Sequence, residues 1–365
     1  MMRWLEVGGR LFFACVLTGW ALFTSALTGA QSVLTIAVAA ALEETPSALP
    51  VCGALPANDC EASLENAIAL VSSSQWQSSL PESVRVVRVR LVGGSYRIQQ
   101  PLVIRWQPSG GHNVMLELVG PPGRTKVKGS VSVTNWYRPA PADMPERIRP
   151  QNRPRLIAAD VRSLPLSIDQ IPRARGYGIP PQSVQTELFV NGEAQSLAGW
   201  PNRGFGKIVL PSGVVADDKR TFSVAGRAVE DWLDEPDLMA HAFWKYDWAA
   251  QAYLVAHKDV SGNRLQLIGG GSPYGIASGQ RIRIESALSE LDVSGEWYLD
   301  RATRTLYYLP ATSALPVEAE LSVATTLLKV EDSKNVRISH IEFEQSRGDA
   351  ILITGGTNVV LSDVN

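Results

Sequence analysis

Residues 328–342, LKVEDSKNVRISHIE, lie over residues 351–365, ILITGGTNVVLSDVN, at an offset of 23. Val330 then falls on Ile353, Asn335 on Asn358, Val336 on Val359, Ile338 on Leu361, Ser339 on Ser362 and Ile341 on Val364. Apolar residues alternate within each copy, the period of a strand with one buried face. The parity then breaks, because Ile341 and Phe343 are odd where Val336 and Ile338 are even. A corner at Ser339–His340 accounts for the break. Each copy therefore reads as three short strands with two bends, one coil of a parallel β-solenoid. Asn335 and Asn358 sit at the bend before the second strand. Stacked amides there can hydrogen-bond to one another, and Asn tolerates the left-handed backbone of a tight corner.

Working outward, strand-like segments occur around Val86–Val92, Leu102–Ile104, Val114–Val119, Lys126–Lys128 and Val131–Val133. Gly-Gly and Pro-Pro-Gly turns punctuate them. Before them, Leu64, Ile68 and Val71 lie at one-turn spacing, a short amphipathic helix that Asp59 could cap. Such a helix can cover the edge of a first coil. Residues from about 136 to 316 do not follow the coil period. Asn191-Gly192 signals a tight hairpin there, and Glu296–Pro310 reads as a second hairpin turning at Asp300–Thr303. The expected organisation is thus an N-terminal segment (1–41), a cap and first coils (42–135), an inserted β-rich barrel-like domain (136–316) and resumed coils (317–365).

The chain has 365 residues, 34 Lys and Arg against 36 Asp and Glu, and a net charge of −2. A nucleic-acid binder would need a basic face to displace counterions, so that class is excluded. With four His and three Cys, a Cys/His zinc array is also excluded. Arg3 and Arg10 precede an uncharged stretch, Leu11–Leu42, that is strongly apolar to Leu27 and then rich in small residues. This is the pattern of a secretory signal peptide, cleaved near Ala30 or within Ala37–Ala41; an uncleaved membrane anchor is the other reading. Export to the periplasm, cell surface or medium is expected, with no other membrane contact. Cys52 and Cys60 flank a short loop and are either a disulfide after export or two free thiols.

Five strings sharpen the reading: LVGGSYRIQQPLVI (91–104), ELFVNGEAQSLAGWPN (187–202), FWKYDWA (243–249), GEWYLDRATRTLYYLP (295–310) and VRISHIEFEQSRGDAILITGG (336–356). In that order they resemble the right-handed parallel β-helix, pectate-lyase-like proteins of bacterial carbohydrate metabolism. The resemblance is to the β-helix β-xylosidase and α-galactosidase families, whose β-helix carries an inserted β-barrel. It implies an all-β fold: a single-stranded right-handed parallel β-helix with an N-terminal capping helix and an inserted barrel-like domain. It also implies exported glycan processing, by a glycoside hydrolase acting on plant or microbial glycans. The alternatives are a polysaccharide lyase and a non-catalytic glycan-binding or surface β-solenoid. In those families the coils continue well beyond the first few, so the expectation is an N-terminal part lacking most catalytic coils and itself inactive.

Glycoside hydrolysis needs one protonated and one ionised carboxyl across the scissile bond. Glu342, Glu344 and Asp349 follow the third strand of the penultimate coil. Asp349, at the rim turn, and Glu344 are the candidate catalytic residues, against the reading of a solvated outer face. Phe243-Trp244-Lys245-Tyr246-Asp247-Trp248 concentrates rings around one carboxylate. Trp244, Asp247 and Trp248 are candidate sugar contacts, and a barrel core or junction is the competing reading. No metal site is expected, and no cofactor, unless a lyase chemistry calls for Ca. The expected partner is an oligo- or polysaccharide; the oligomeric state is left open.

Overall fold

A computed structural model describes residues 33–39, 63–108, 113–166, 174–179, 186–215, 218–312, 314–316 and 318–365, with the backbone of Leu5–Val7, Arg10–Leu17, Trp20–Thr24 and Cys60–Glu61. The signal-cleavage position near Ala30, the proposed cap Asp59, Cys52 and the side chain of Cys60 lie outside the described residues. The chain divides into two compact units, Met1–Ser130 with Ala324–Asn365, and Val131–Val323.

Apart from the antiparallel strands Leu5–Val7, Arg10–Leu17 and Trp20–Thr24, the first unit is built of parallel ladders. One joins Val33–Ala39, Val86–Val92, Met115–Val119, Lys334–Glu344 and Thr357–Val364. A second joins Gly94–Arg97, Thr125–Lys128 and the end of Lys334–Glu344, and a third joins Leu102–Ile104, Leu328–Glu331 and Ile351–Thr354. Alternate residues point inward along each strand. Val38, Val87, Leu116, Val127, Val330 and Ile338 accordingly fill one buried core. The helix Leu64–Val71 buries Leu64, Ile68 and Val71 as its spacing requires. Its cap is Ser63, whose hydroxyl accepts from the Asn66 amide at 3.1 Å. In Lys334–Glu344 the parity break falls at His340, which has φ 57°, inside one continuous strand of 11 residues rather than between two short strands.

These findings correct the expected fold class. The described chain is mostly β, 42% strand and 9% helix, arranged as several sheets with one closed barrel, and it is not a single β-helix solenoid. In a solenoid each coil stacks on the preceding one in sequence. Here Met115–Val119 lies against Lys334–Glu344, and the paired Asn113 and Asn335 are 222 residues apart. The 23-residue offset holds for one pair of segments only, and the strands of the second unit pair almost entirely antiparallel.

The second unit contains three largely antiparallel systems, one of which joins Ala319–Ser322, Leu188–Val190 and Glu193–Ala194. Gln251–Asp259, Met239–Ala242, Arg281–Glu285, Gly206–Val209, Thr221–Val224 and Arg264–Leu267 pair in that order, and the last returns to the first, closing a six-strand barrel. Phe222, Trp244, Tyr253, Leu265, Ile282 and Ile284 fill its interior. A second sheet runs Trp136–Tyr137, Ile157–Asp160, Thr305–Leu309, Glu296–Asp300 and Ser196–Leu197, and its last pairing is parallel. Both expected hairpins form. Asn191 and Gly192 both have positive φ, 52° and 79°, the geometry of a two-residue turn matched to strand twist. The Asp300 carboxylate accepts from the amides of Ala302 and Thr303 at 2.9 and 3.1 Å.

Candidate functional site: a charged cavity in the second unit

Strand pairing gathers the charges of the site. Arg175 pairs with Ala252, Ala252 with His241, and His241 with Arg283, so Arg175, His241 and Arg283 lie in one row across the sheet. Ile282 and Ile284 point into the barrel, which puts Arg283 and Glu285 on its outer face. The Asn191-Gly192 turn brings residues on either side of its hairpin together: the amide of Gln195 donates to the carbonyl of Leu188 at 2.8 Å. Glu187 and Gln195–Leu197 thereby meet at one end of that hairpin. These groups other than His241, with Asn202 and Trp297, line a cavity of about 400 Å³. That size suits one small ligand rather than a polymer.

Glu285 is the most constrained group. Its side chain is 12% exposed, and Arg175 Nη2 approaches Oε2 to 2.6 Å. His241 Nδ1 lies 3.4 Å and Arg283 Nε 3.9 Å from Oε1. Burial pushes the carboxyl pKa up, but the His241 hydrogen bond and the charges of Arg175 and Arg283 outweigh it and hold Glu285 below its ordinary value. Glu187 behaves oppositely: the residue is exposed at the cavity edge, and the partial desolvation of its carboxyl raises its pKa, which the Arg175 charge offsets only in part. One cavity therefore holds a carboxyl biased towards protonation and one biased towards ionisation.

The uncharged lining is fixed in place. Tyr308 Oη donates to Gln195 Oε1 at 3.0 Å, and Gln195 Nε2 donates to the Glu193 carbonyl at 2.9 Å. Asn202 Nδ2 donates to Asp292 Oδ1 at 2.9 Å, and Arg283 Nη1 donates to the Pro201 carbonyl at 2.6 Å. Trp297 is anchored through Nε1 on the Gln195 carbonyl at 3.1 Å. Among the described residues no group of three or more His, Cys, Asp or Glu side chains is placed to hold a metal ion.

The residues singled out from sequence lie elsewhere. Glu344 and Glu342 share Lys126 of the neighbouring strand, at 2.7 and 3.2 Å, and Asp349 is exposed in the turn before Ile351. All three belong to the first unit. Trp244 is 1% exposed, donates Nε1 to the Gln251 carbonyl at 2.9 Å and packs against Phe222 and Tyr253. Its ring is part of the barrel core and has no face for a sugar. Asp247 and Trp248 are exposed on the barrel surface. Sequence reading missed Arg175, Glu187, Arg283 and Glu285. The one available signal was the alternation Arg281-Ile-Arg-Ile-Glu285, whose polar residues carry both charges on one strand face.

No protein-family model matches the chain, and no curated protein sequence matches it. Among solved structures it resembles one titled "Glycoside hydrolase", with a TM-score of 0.60 and 17% identity, covering 86% of this chain and 51% of that one. It also matches "The complex structure of XylC with xylose" at a TM-score of 0.38 and 9% identity, covering 87% of this chain and 36% of that one. The chain thus spans about half the length of the glycoside hydrolase it resembles, and the likeness is one of fold.

Proposed function

We propose that the protein is an exported carbohydrate-processing protein of glycoside hydrolase type, and that the cavity of the second unit binds one sugar unit. The observation that carries this reading is that Glu187 and Glu285 line one cavity together with Arg175, Gln195 and Asn202, their carboxyls biased in opposite directions. Glycoside hydrolysis divides its labour between a carboxylic acid that protonates the leaving oxygen and an ionised carboxylate. Glu187 is the candidate acid and Glu285 the candidate carboxylate, with Arg175 fixing the ionised state of Glu285. The planar side chains of Gln195, Asn202 and Arg283 offer donors and acceptors to ring hydroxyls. The fold of the solved glycoside hydrolase supports the same class.

The test is calorimetric titration with xylose, galactose and galacturonate, together with turnover of the corresponding aryl glycosides. Binding of at least one sugar is expected at millimolar concentration, weakened in Glu285→Gln. Turnover, where present, should be lost in Glu187→Gln while binding persists. A folded wild-type protein that binds none of the three sugars would overturn the reading.

A further inference from the structure

Four aromatic rings cluster on the surface of the second unit, and none of them lines the cavity. Tyr177, Tyr246, Trp248 and Tyr274 are 51, 41, 57 and 37% exposed. Tyr246 and Trp248 stack with centroids 5.4 Å apart and planes 6° from parallel. Tyr177 meets Trp248 edge-on at 4.9 Å, and Tyr274 meets Trp248 and Tyr246 edge-on at 5.4 and 5.9 Å. Three separate loops contribute them, and each ring is held by its neighbours rather than by the barrel interior, where Phe222, Trp244 and Tyr253 already fill the space. Contiguous exposed aromatic surface of this kind marks a binding surface.

We propose that these four rings form a docking platform for a polysaccharide chain, distinct from the sugar cavity. Its ligand class rests on the carbohydrate reading above. The chemistry of the patch points to a glycan rather than a protein or a lipid. Its exposed apolar groups are rings with polar tips, three phenols and one indole, which suit the C–H faces of pyranoses. Charged residues alternate with two of the rings in Lys245-Tyr246-Asp247-Trp248. Asp247 is 72% exposed with Arg281 Nη2 at 3.3 Å, and Lys245 Nζ lies 5.6 Å from the Tyr246 ring centre. A carboxylate and two cations around the rings can meet sugar hydroxyls, whereas a lipid surface would favour one sign of charge and aliphatic anchors. Tyr177 follows Arg175 by two residues, so one short segment serves both the cavity and the platform.

The proposal is tested by affinity electrophoresis through gels containing arabinoxylan, galactomannan or polygalacturonate, with the wild type, Trp248→Ala and Tyr246→Ala. Retardation of the wild type by at least one polymer is expected. Each substitution should weaken it by up to about tenfold, the scale of one lost ring contact. Thermal midpoints should be unchanged, and monosaccharide binding measured by calorimetry should persist. The Glu285→Gln variant should bind monosaccharide more weakly yet keep its retardation. Two outcomes would overturn the platform: no retardation of the wild type by any polymer, or equal retardation of all variants. Trp248-dependent self-association or vesicle binding in sedimentation would replace the glycan with another occupant. Loss of cavity binding alone would count against the cavity and leave the platform standing.

Discussion

Asn358 donates its side-chain amide to Asn335 Oδ1 at 2.6 Å, and Asn335 in turn donates to Asn113 Oδ1. Both Asn335 and Asn358 have left-handed backbone, φ 56° and 54°. One residue type thus serves two ends at each bend: it tolerates positive φ and carries the ladder. Asn335→Ala removes both amide bonds and strains the backbone. A cost of about 2 kcal/mol is expected, and Asn335→Gly should recover the backbone part alone. Urea unfolding of the three proteins checks this. Equal stability of the Ala and Gly variants would show that backbone strain contributes nothing.

That ladder was legible in sequence because it depends on two asparagines at matching places in a local repeat. The hairpins at Asn191-Gly192 and Asp300–Thr303 were legible for the same reason, since turn chemistry acts over a few residues. The sheet arrangement was not. Two copies of a 23-residue segment cannot reveal that Lys334–Glu344 also pairs with Met115–Val119. The cavity was hidden for a related reason. Arg175, His241 and Arg283 come together through a row of cross-strand pairings among residues far apart in sequence. Trp244 and Trp248 show a different limit: four residues apart in one aromatic run, one is buried and the other exposed, and periodicity does not fix which side of a turn each ring takes.

That contrast predicts opposite responses. Trp244→Ala opens a cavity among Phe222 and Tyr253 and leaves the Gln251 carbonyl without its indole donor, which should cost about 3–5 kcal/mol. Trp248→Ala, at the surface, should shift stability by less than about 0.5 kcal/mol. Thermal denaturation of both variants decides it. Similar losses for the two would mean that Trp248 also supports the barrel.

If the chain is exported as proposed, the strand Val33–Ala39 constrains where it is processed. Ile36 and Val38 are buried in the core of the first unit, Val38 pairs with Leu91, and Tyr96 Oη donates to the Val38 carbonyl at 2.8 Å. Cleavage within Ala37–Ala41 would remove these contacts, whereas cleavage near Ala30 would keep them. We expect the mature N-terminus to fall before Val33, which intact-mass measurement on secreted protein will show. Val38→Asp should abolish soluble accumulation, because it buries an unpaired carboxylate.

Glu296 sets a pH dependence whose sign follows from its burial. The residue is 1% exposed and its carboxyl is pushed up to about 7 by burial, with the Asp292 charge adding to the rise. Amide donors at Asp292 and Val293, 3.0 and 3.2 Å away, only partly oppose it. Below the ordinary value of 4.5 the group is protonated whether the chain is folded or not, so the stability it contributes is fully present there. Between 4.5 and 7 the unfolded chain releases a proton that the folded chain keeps, and stability falls as pH rises. The fall amounts to about 3 kcal/mol and levels off above the folded value. Glu296→Gln keeps an acceptor for the two amides but cannot ionise, so its stability should lose this slope and exceed the wild type on the alkaline side. Urea unfolding at intervals across the window measures both curves. Parallel curves for the two proteins would assign the slope to other groups.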